Sequence, residues 1–261
     1  MVLRRCTVVE QLGEGLGARD RQLLRDVAAL RLVTGGQLQR LAFTGPQASS
    51  TNSRIARRTL QRLTDHGLLQ RLQRRVGGIL AGSSSYVYAI TPAGAAAIGW
   101  NLSRGQTTRP SLTFLRHQLA VAEVCVALRT ALYSGSLEAL EIETEPTCWR
   151  PLDDGSILKP DLFVVVTRAE DEQLAFVEVD NGTEHAAALA RKLALYRAHY
   201  DSGREQAREG VFPEVLWLSD EPRRLEQLDR AFQRGREPAG LHRAMTTAAA
   251  INYLTKGGDY A

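Results

Sequence analysis

Three acids and one lysine stand where side chains of their kind can act on a phosphodiester. Asp161 follows Pro160 at the start of one apolar run, and Glu178 and Asp180 close another. Positions two apart on a strand point to the same face, so Glu178 and Asp180 share one, and pairing with a neighbouring strand brings Asp161 beside them. Converging carboxylates repel unless one is protonated or a cation bridges them. An all-oxygen donor set selects Mg²⁺ or Mn²⁺ over zinc, and such an ion polarises a phosphate ester and lowers the pKa of bound water. Lys192, one of only three lysines, lies on the following helical segment beside the stripe Leu189, Leu193, Tyr196 and Tyr200. An ammonium there stabilises phosphate charge or positions a water. Asp161, Glu178, Asp180 and Lys192 are therefore the candidate catalytic residues, and the three acids are the candidate metal ligands.

Each has a plainer account. Asp180-Asn181-Gly182 is a good turn with Thr183 as a helix cap behind it, and Lys192 is equally a lysine laid along an apolar stripe with its head in water. Glu178 resists that account, because it interrupts Phe176, Val177 and Val179 at a position expected to be buried.

The elements that must position these residues follow from periodicity. A long apolar helix is expected from Phe114 to Leu132, with Glu123 its only central acid. Strand-like runs follow at Ala139–Glu145, Leu162–Thr167, Leu174–Asp180 and Glu214–Leu218. Helices are expected at about Glu184–Tyr200 and Pro222–Arg234. That order is α/β, a mixed sheet covered by helices. The stretch from Pro238 onward fits either a packed or a mobile tail.

The first 110 residues read differently. They hold sixteen arginines, no lysine and five acids, a surplus of eleven positive charges, whereas the rest holds seventeen basic and twenty-four acidic residues. A compact Arg-rich segment is the electrostatic footprint of a nucleic-acid binder. Helix-period runs start near Asp20 and at Thr34, and a third spans Thr51–His66 with Gly67 at its C-cap. That third helix carries Ile55, Thr59, Leu60 and Leu63 inside and Arg54, Arg57, Arg58, Gln61 and Arg62 outside. Leu68–Arg75, a turn through Gly77, Gly78 and Gly82, and Tyr86–Ile90 then read as two strands about a flexible tip. Three helices and a hairpin make a winged helix-turn-helix, whose third helix enters a DNA major groove while Arg71, Arg74 and Arg75 touch phosphate. A solvated arginine face is the bland alternative. The expected division is a DNA-binding domain over 1–102, a linker over 103–112, an α/β domain over 113–237 and a tail over 238–261.

Composition excludes several classes. No run reaches the ~20 apolar residues needed to cross a bilayer, so the expectation is a cytoplasmic protein without a membrane partner. Cys6, Cys125 and Cys148 form no Cys-x-x-Cys pair, the five histidines have no metal-ligand spacing, and no Walker loop is present.

Two family resemblances rest on these residues. Pro160-Asp161 and Glu178-Val179-Asp180 resemble the two signatures of the PD-(D/E)xK nuclease superfamily, which implies a restriction-endonuclease-like fold and a Mg²⁺- or Mn²⁺-dependent endonuclease. This chain departs from that pattern by placing Asp180 where lysine is expected, and Lys192 would have to substitute. More specifically, the chain resembles the replication-relaxation family of plasmid and mobile-element proteins. The similarity runs from Ala18-Arg19-Asp20 through Leu32-Val33-Thr34, Gly67-Leu68-Leu69 and Tyr86–Gly94 to Leu158-Lys159-Pro160-Asp161, Phe176–Glu184, Lys192 and Tyr196. It implies a DNA-binding protein in replication, relaxation or mobilisation whose nuclease-like half is a scaffold or weak nickase. An active endonuclease and a dimeric winged-helix regulator are the alternatives. The partners implied are double-stranded DNA, a protein of a replication or mobilisation complex, or a second copy of the chain.

Overall fold

The computed structural model describes residues 15–42, 49–76, 85–102, 110–169, 171–182, 185–235 and 237–257, with the side chains at 49–50, 73–76 and 85 outside that description. The chain forms two compact units, Met1–Val126 and Ala127–Ala261. The division falls within one helix, and most of the expected linker over 103–112 lies outside the described residues.

In the first unit, helices α1 (Ala18–Leu30), α2 (Gly35–Ala42) and α3 (Ser49–Asp65) precede strands β2 (Leu69–Val76) and β3 (Ser85–Ile90). β3 lies between β2 and the short β1 (Val33–Thr34), antiparallel to both. Local chemistry explains the boundaries. Asp20 is not the cap of α1 but lies in its first turn, where it receives Arg62 at 2.7 Å. Thr34 Oγ1 accepts the Gln37 amide N–H at 3.2 Å while Gln37 Oε1 accepts the Thr34 N–H at 2.9 Å, a reciprocal capping box at the start of α2. α3 stops because Gly67 turns left-handed at φ +70°, letting Leu68 N–H reach Leu63 O and Gly67 N–H reach Thr64 O, each at 2.9 Å. Thr91 then caps α4 (Pro92–Ala97) by accepting the Gly94 N–H at 3.0 Å. The order expected for three helices and a hairpin is present, while the Gly77–Gly82 tip lies outside the described residues. Helix α5 (Leu112–Tyr133) follows; Glu123 on it accepts from Gln37 at 3.1 Å and Arg40 at 2.7 Å, which gives that acid a packing role within the first unit.

The second unit is built on a mixed sheet in the order β10-β9-β8-β7-β4. β4 (Ala139–Thr144), β7 (Leu162–Arg168) and β8 (Asp171–Val179) form an antiparallel meander, interrupted by the small hairpin β5 (Arg150–Pro151) and β6 (Ile157–Leu158). β8, β9 (Glu214–Leu218) and β10 (His242–Met245) run parallel, joined by α6 (Ala186–Asp201), the short α7 (Arg204–Glu209) and α8 (Pro222–Gly235). Helix α9 (Thr247–Lys256) closes the chain, with Thr246 and Asp220 both bonding its first turn. Up to residue 257, the stretch after Pro238 thus holds a packed strand and helix.

Alternation along the strands makes two apolar layers. Phe163, Phe176 and Trp217 pack with Leu189, Leu193 and Tyr196 of α6 and Leu228 of α8. Val164, Val166, Ala175, Val177 and Leu218 alternate with that set, and all are buried. Below α6, Glu205 is buried and receives His199 Nε2 at 2.7 Å, Arg208 at 2.8 Å and Arg150 at 3.2 Å, which ties β5, α6 and α7 together.

Candidate functional site

The antiparallel register puts Leu162 opposite Val177, so the start of β7 meets the end of β8. Asp161, one residue before β7, donates its backbone N–H to Val177 O at 3.1 Å and accepts the Val179 N–H on Oδ2 at 2.7 Å. It is therefore fastened to both sequence neighbours of Glu178. Glu178 is only 1% exposed; its Oε1 accepts the Tyr196 hydroxyl at 2.6 Å and its Oε2 accepts the Lys192 ammonium. Lys192 and Tyr196 are four apart on α6, which puts both on the helix face above the same carboxylate. Burial pushes the Glu178 carboxyl up to about 8; the Lys192 ammonium opposes that rise and the charge of Asp161 adds to it. Burial, and then the adjoining Glu178, hold the Tyr196 hydroxyl well above its ordinary value.

Asp180 takes a different partner. Its Oδ2 accepts Nε and Nη2 of Arg224, in the first turn of α8, at 3.0 and 2.7 Å, and its Oδ1 accepts the Gly182 N–H at 2.7 Å. The structure thus brings Asp161, Glu178 and Lys192 together and commits Asp180 to an ion pair that fixes the turn between β8 and α6. Lys159 is exposed, with its ammonium 4.4 Å from the centre of the Trp149 ring. Both oxygens of Glu178 and of Asp180, and one of Asp161, are occupied by protein donors. Among the described residues no group of three or more His, Cys, Asp and Glu side chains gathers to hold a metal ion. A divalent cation would have to displace Lys192 from Glu178 and Arg224 from Asp180. This donor set does not fit a three-carboxylate Mg²⁺ or Mn²⁺ centre. Tyr196 and Arg224 are the members that sequence reasoning missed. Tyr196 carried a signal in its spacing from Lys192, whereas Arg224, 44 residues from Asp180, carried none.

On α3, Ala56, Leu60 and Leu63 are buried, Ile55 and Thr59 are half-buried, and Arg54, Arg57, Arg58, Gln61 and Arg62 are all exposed, as the periodicity requires. Their engagement differs. Arg62 is held by Asp20, Gln61 by Asp65 at 2.7 Å, and Arg57 by Ser53 O at 3.2 Å. Arg54 and Arg58 lie one turn apart on the exposed side. In β2, Arg71 is exposed and stacks 4.1 Å over the Tyr86 ring, while the side chains of Arg74 and Arg75 lie outside the described residues.

No helix among the described residues is long and apolar enough to cross a membrane. No curated protein matches the chain. Among solved structures, that of the restriction endonuclease FokI is similar at 10% identity and a TM-score of 0.28, covering 95% of this chain and 68% of FokI, and a likeness this slight carries no argument. The sequence model of the replication-relaxation family matches residues 24–215, well over half the chain, and several of the features just described lie in that span: the capping box of α2, the basic face of α3, the Asp161–Glu178–Lys192–Tyr196 cluster. The chain belongs to the replication-relaxation family.

Proposed function

We propose that this protein binds duplex DNA through its first unit, in the replication, relaxation or mobilisation of a plasmid or other mobile element, and that its second unit is a nuclease-like scaffold. The observation that carries the reading is the exposed arginine face of α3, set on a helix-helix-helix-hairpin frame as in a winged helix-turn-helix. Arg54 and Arg58 are the base-edge candidates, since Arg57, Gln61 and Arg62 already hold contacts within the unit. Arg71 is suited to a phosphate. Affinity for duplex DNA, read by fluorescence anisotropy, is expected to fall steeply between about 50 and 200 mM salt as released counterions are repaid. Arg54→Ala with Arg58→Ala is expected to weaken binding by roughly 2–4 kcal/mol if both reach base edges. Arg62→Ala is a poor substitute, because it also leaves Asp20 without its ion pair. Unchanged affinity in the double variant would remove α3 as the reading element.

The acid cluster is read as structural. Supercoiled plasmid incubated with the protein and Mg²⁺ or Mn²⁺ is expected to be retarded on an agarose gel yet to remain supercoiled. Open-circular or linear product that disappears in Asp161→Ala and Glu178→Ala would overturn the scaffold reading in favour of a metal-dependent endonuclease.

A further inference from the structure

Helices α6 and α8 lie on one face of the sheet, and a cleft of about 890 Å³ runs between them. Its floor is Leu189 and Leu193, both buried, and Ala231. Along α6 its wall is Ala186, Ala190 and Ala194, one per turn and all exposed. A helix that faces only water normally shows charged and polar side chains there, whereas alanine at three successive turns leaves a smooth surface that a second helix can approach closely. The rim carries three arginines, Arg197, Arg230 and Arg234, against one acid, Glu237, and Arg224 at one end is neutralised by Asp180. This basic rim lies in the half of the sequence that carries more acidic than basic residues.

We propose that the α6–α8 cleft receives an amphipathic, acidic helix of a partner protein, with small apolar side chains on the alanine and leucine floor and carboxylates against Arg197, Arg230 and Arg234. The inference is independent of the DNA-binding reading. Charge complementarity selects the occupant. A second copy docking through the same face would set arginine against arginine. A single-stranded nucleic acid would use aromatic side chains for stacking, and among the described residues no Phe, Tyr or Trp lines the cleft. Arg197 and Arg230 hold Asp201 and Glu226 through exposed i,i+4 pairs, which are weak enough to be exchanged for a partner's carboxylates. The stretch of α6 from Ala186 to Ala194 is about 12 Å long, so roughly two turns of helix fill it.

The test uses the full chain and a fluorescein-labelled synthetic helical peptide with Leu and Ala at i, i+3, i+4 and i+7 and Glu on both flanks, followed by anisotropy. Binding is expected, with loss of about tenfold in affinity for Ala190→Arg, which fills the floor, and for Arg230→Glu with Arg234→Glu, which reverses the rim. All three are exposed helix positions replaced by good helix formers, and circular dichroism checks that each variant is folded. The strongly basic first unit attracts any acidic peptide, but the cleft variants leave that background unchanged, so only binding sensitive to them counts. No binding, binding indifferent to both variants, or equal binding of the peptide with every Glu replaced by Lys would overturn the proposal. So would duplex DNA whose affinity falls in the rim variant while the peptide fails to bind.

Discussion

Above pH 8, where Glu178 is ionised, Lys192→Met is expected to destabilise the second unit by about 3–5 kcal/mol, the usual cost of removing one partner from a buried ion pair. Glu178 is almost wholly buried, and the Lys192 ammonium is the charge that opposes its desolvation; without it only the Tyr196 hydroxyl and the sheet face remain on that carboxylate. The sign with pH follows from the raised carboxyl. A carboxyl that titrates near 4.5 when unfolded and at about 8 when folded contributes stability that is fully present below 4.5 and is lost as pH rises through 8. Removing Lys192 takes away the main influence that lowers the folded value, so the deficit of Lys192→Met should be small at pH 5–7 and widen as pH rises through 8 to 9. Urea unfolding followed by the fluorescence of buried Trp217 measures both. Glu178→Gln combined with Lys192→Met should recover much of the loss, since an amide needs no counter-charge. If the double variant is no better than Lys192→Met alone, the pair is not what holds this part of the sheet to α6.

Gly94→Ala is expected to cost the first unit about 3–5 kcal/mol, combining overpacking with the loss of two or three hydrogen bonds. A Cβ at position 94 would lie 2.1 Å from the Leu68 carbonyl oxygen and 2.9 Å from its carbon. That carbonyl also accepts the Thr91 N–H and hydroxyl, each at 3.1 Å, so α4 is seated directly on the turn that ends α3. Gly67→Ala is the control. It meets no atom within 4 Å and pays only for a left-handed backbone, on the order of 1–2 kcal/mol. Thermal melting of the two variants should separate them clearly, and equal losses would mean that α4 is not held against Leu68.

These two sites show what could be read in advance and what could not. The Gly67 stop and the Thr34 start are local, written within a few residues, and both are found where expected. The long strands were equally visible, because Leu162–Arg168 and Asp171–Val179 are rich in β-branched and aromatic residues. β10 escaped notice: His242-Arg243-Ala244-Met245 has no strand-forming alternation and becomes a strand only because β9 offers a parallel edge. At the acid cluster, residue types and period two correctly put Glu178 beside Asp161 and Lys192. They could not reveal that Asp180, on the same face, would be claimed by Arg224, because that choice is made by where α8 starts relative to the sheet. Tyr196 was read as part of an apolar stripe and of the family resemblance, and its hydroxyl turned out to be a partner of Glu178.

The parallel run from β8 through β10 also governs the order in which the second unit can be completed during synthesis. β4, β7 and β8 pair with chain neighbours and can close as a meander once about residue 180 has emerged. β9 can then add to β8, but its four buried residues stay on an open edge until Met245 has left the ribosome and β10 has paired. For that interval the nascent chain carries a hydrophobic sheet edge, and β10 then replaces it with a short edge strand bearing His242 and Arg243, a poorer template for joining newly made molecules edge to edge.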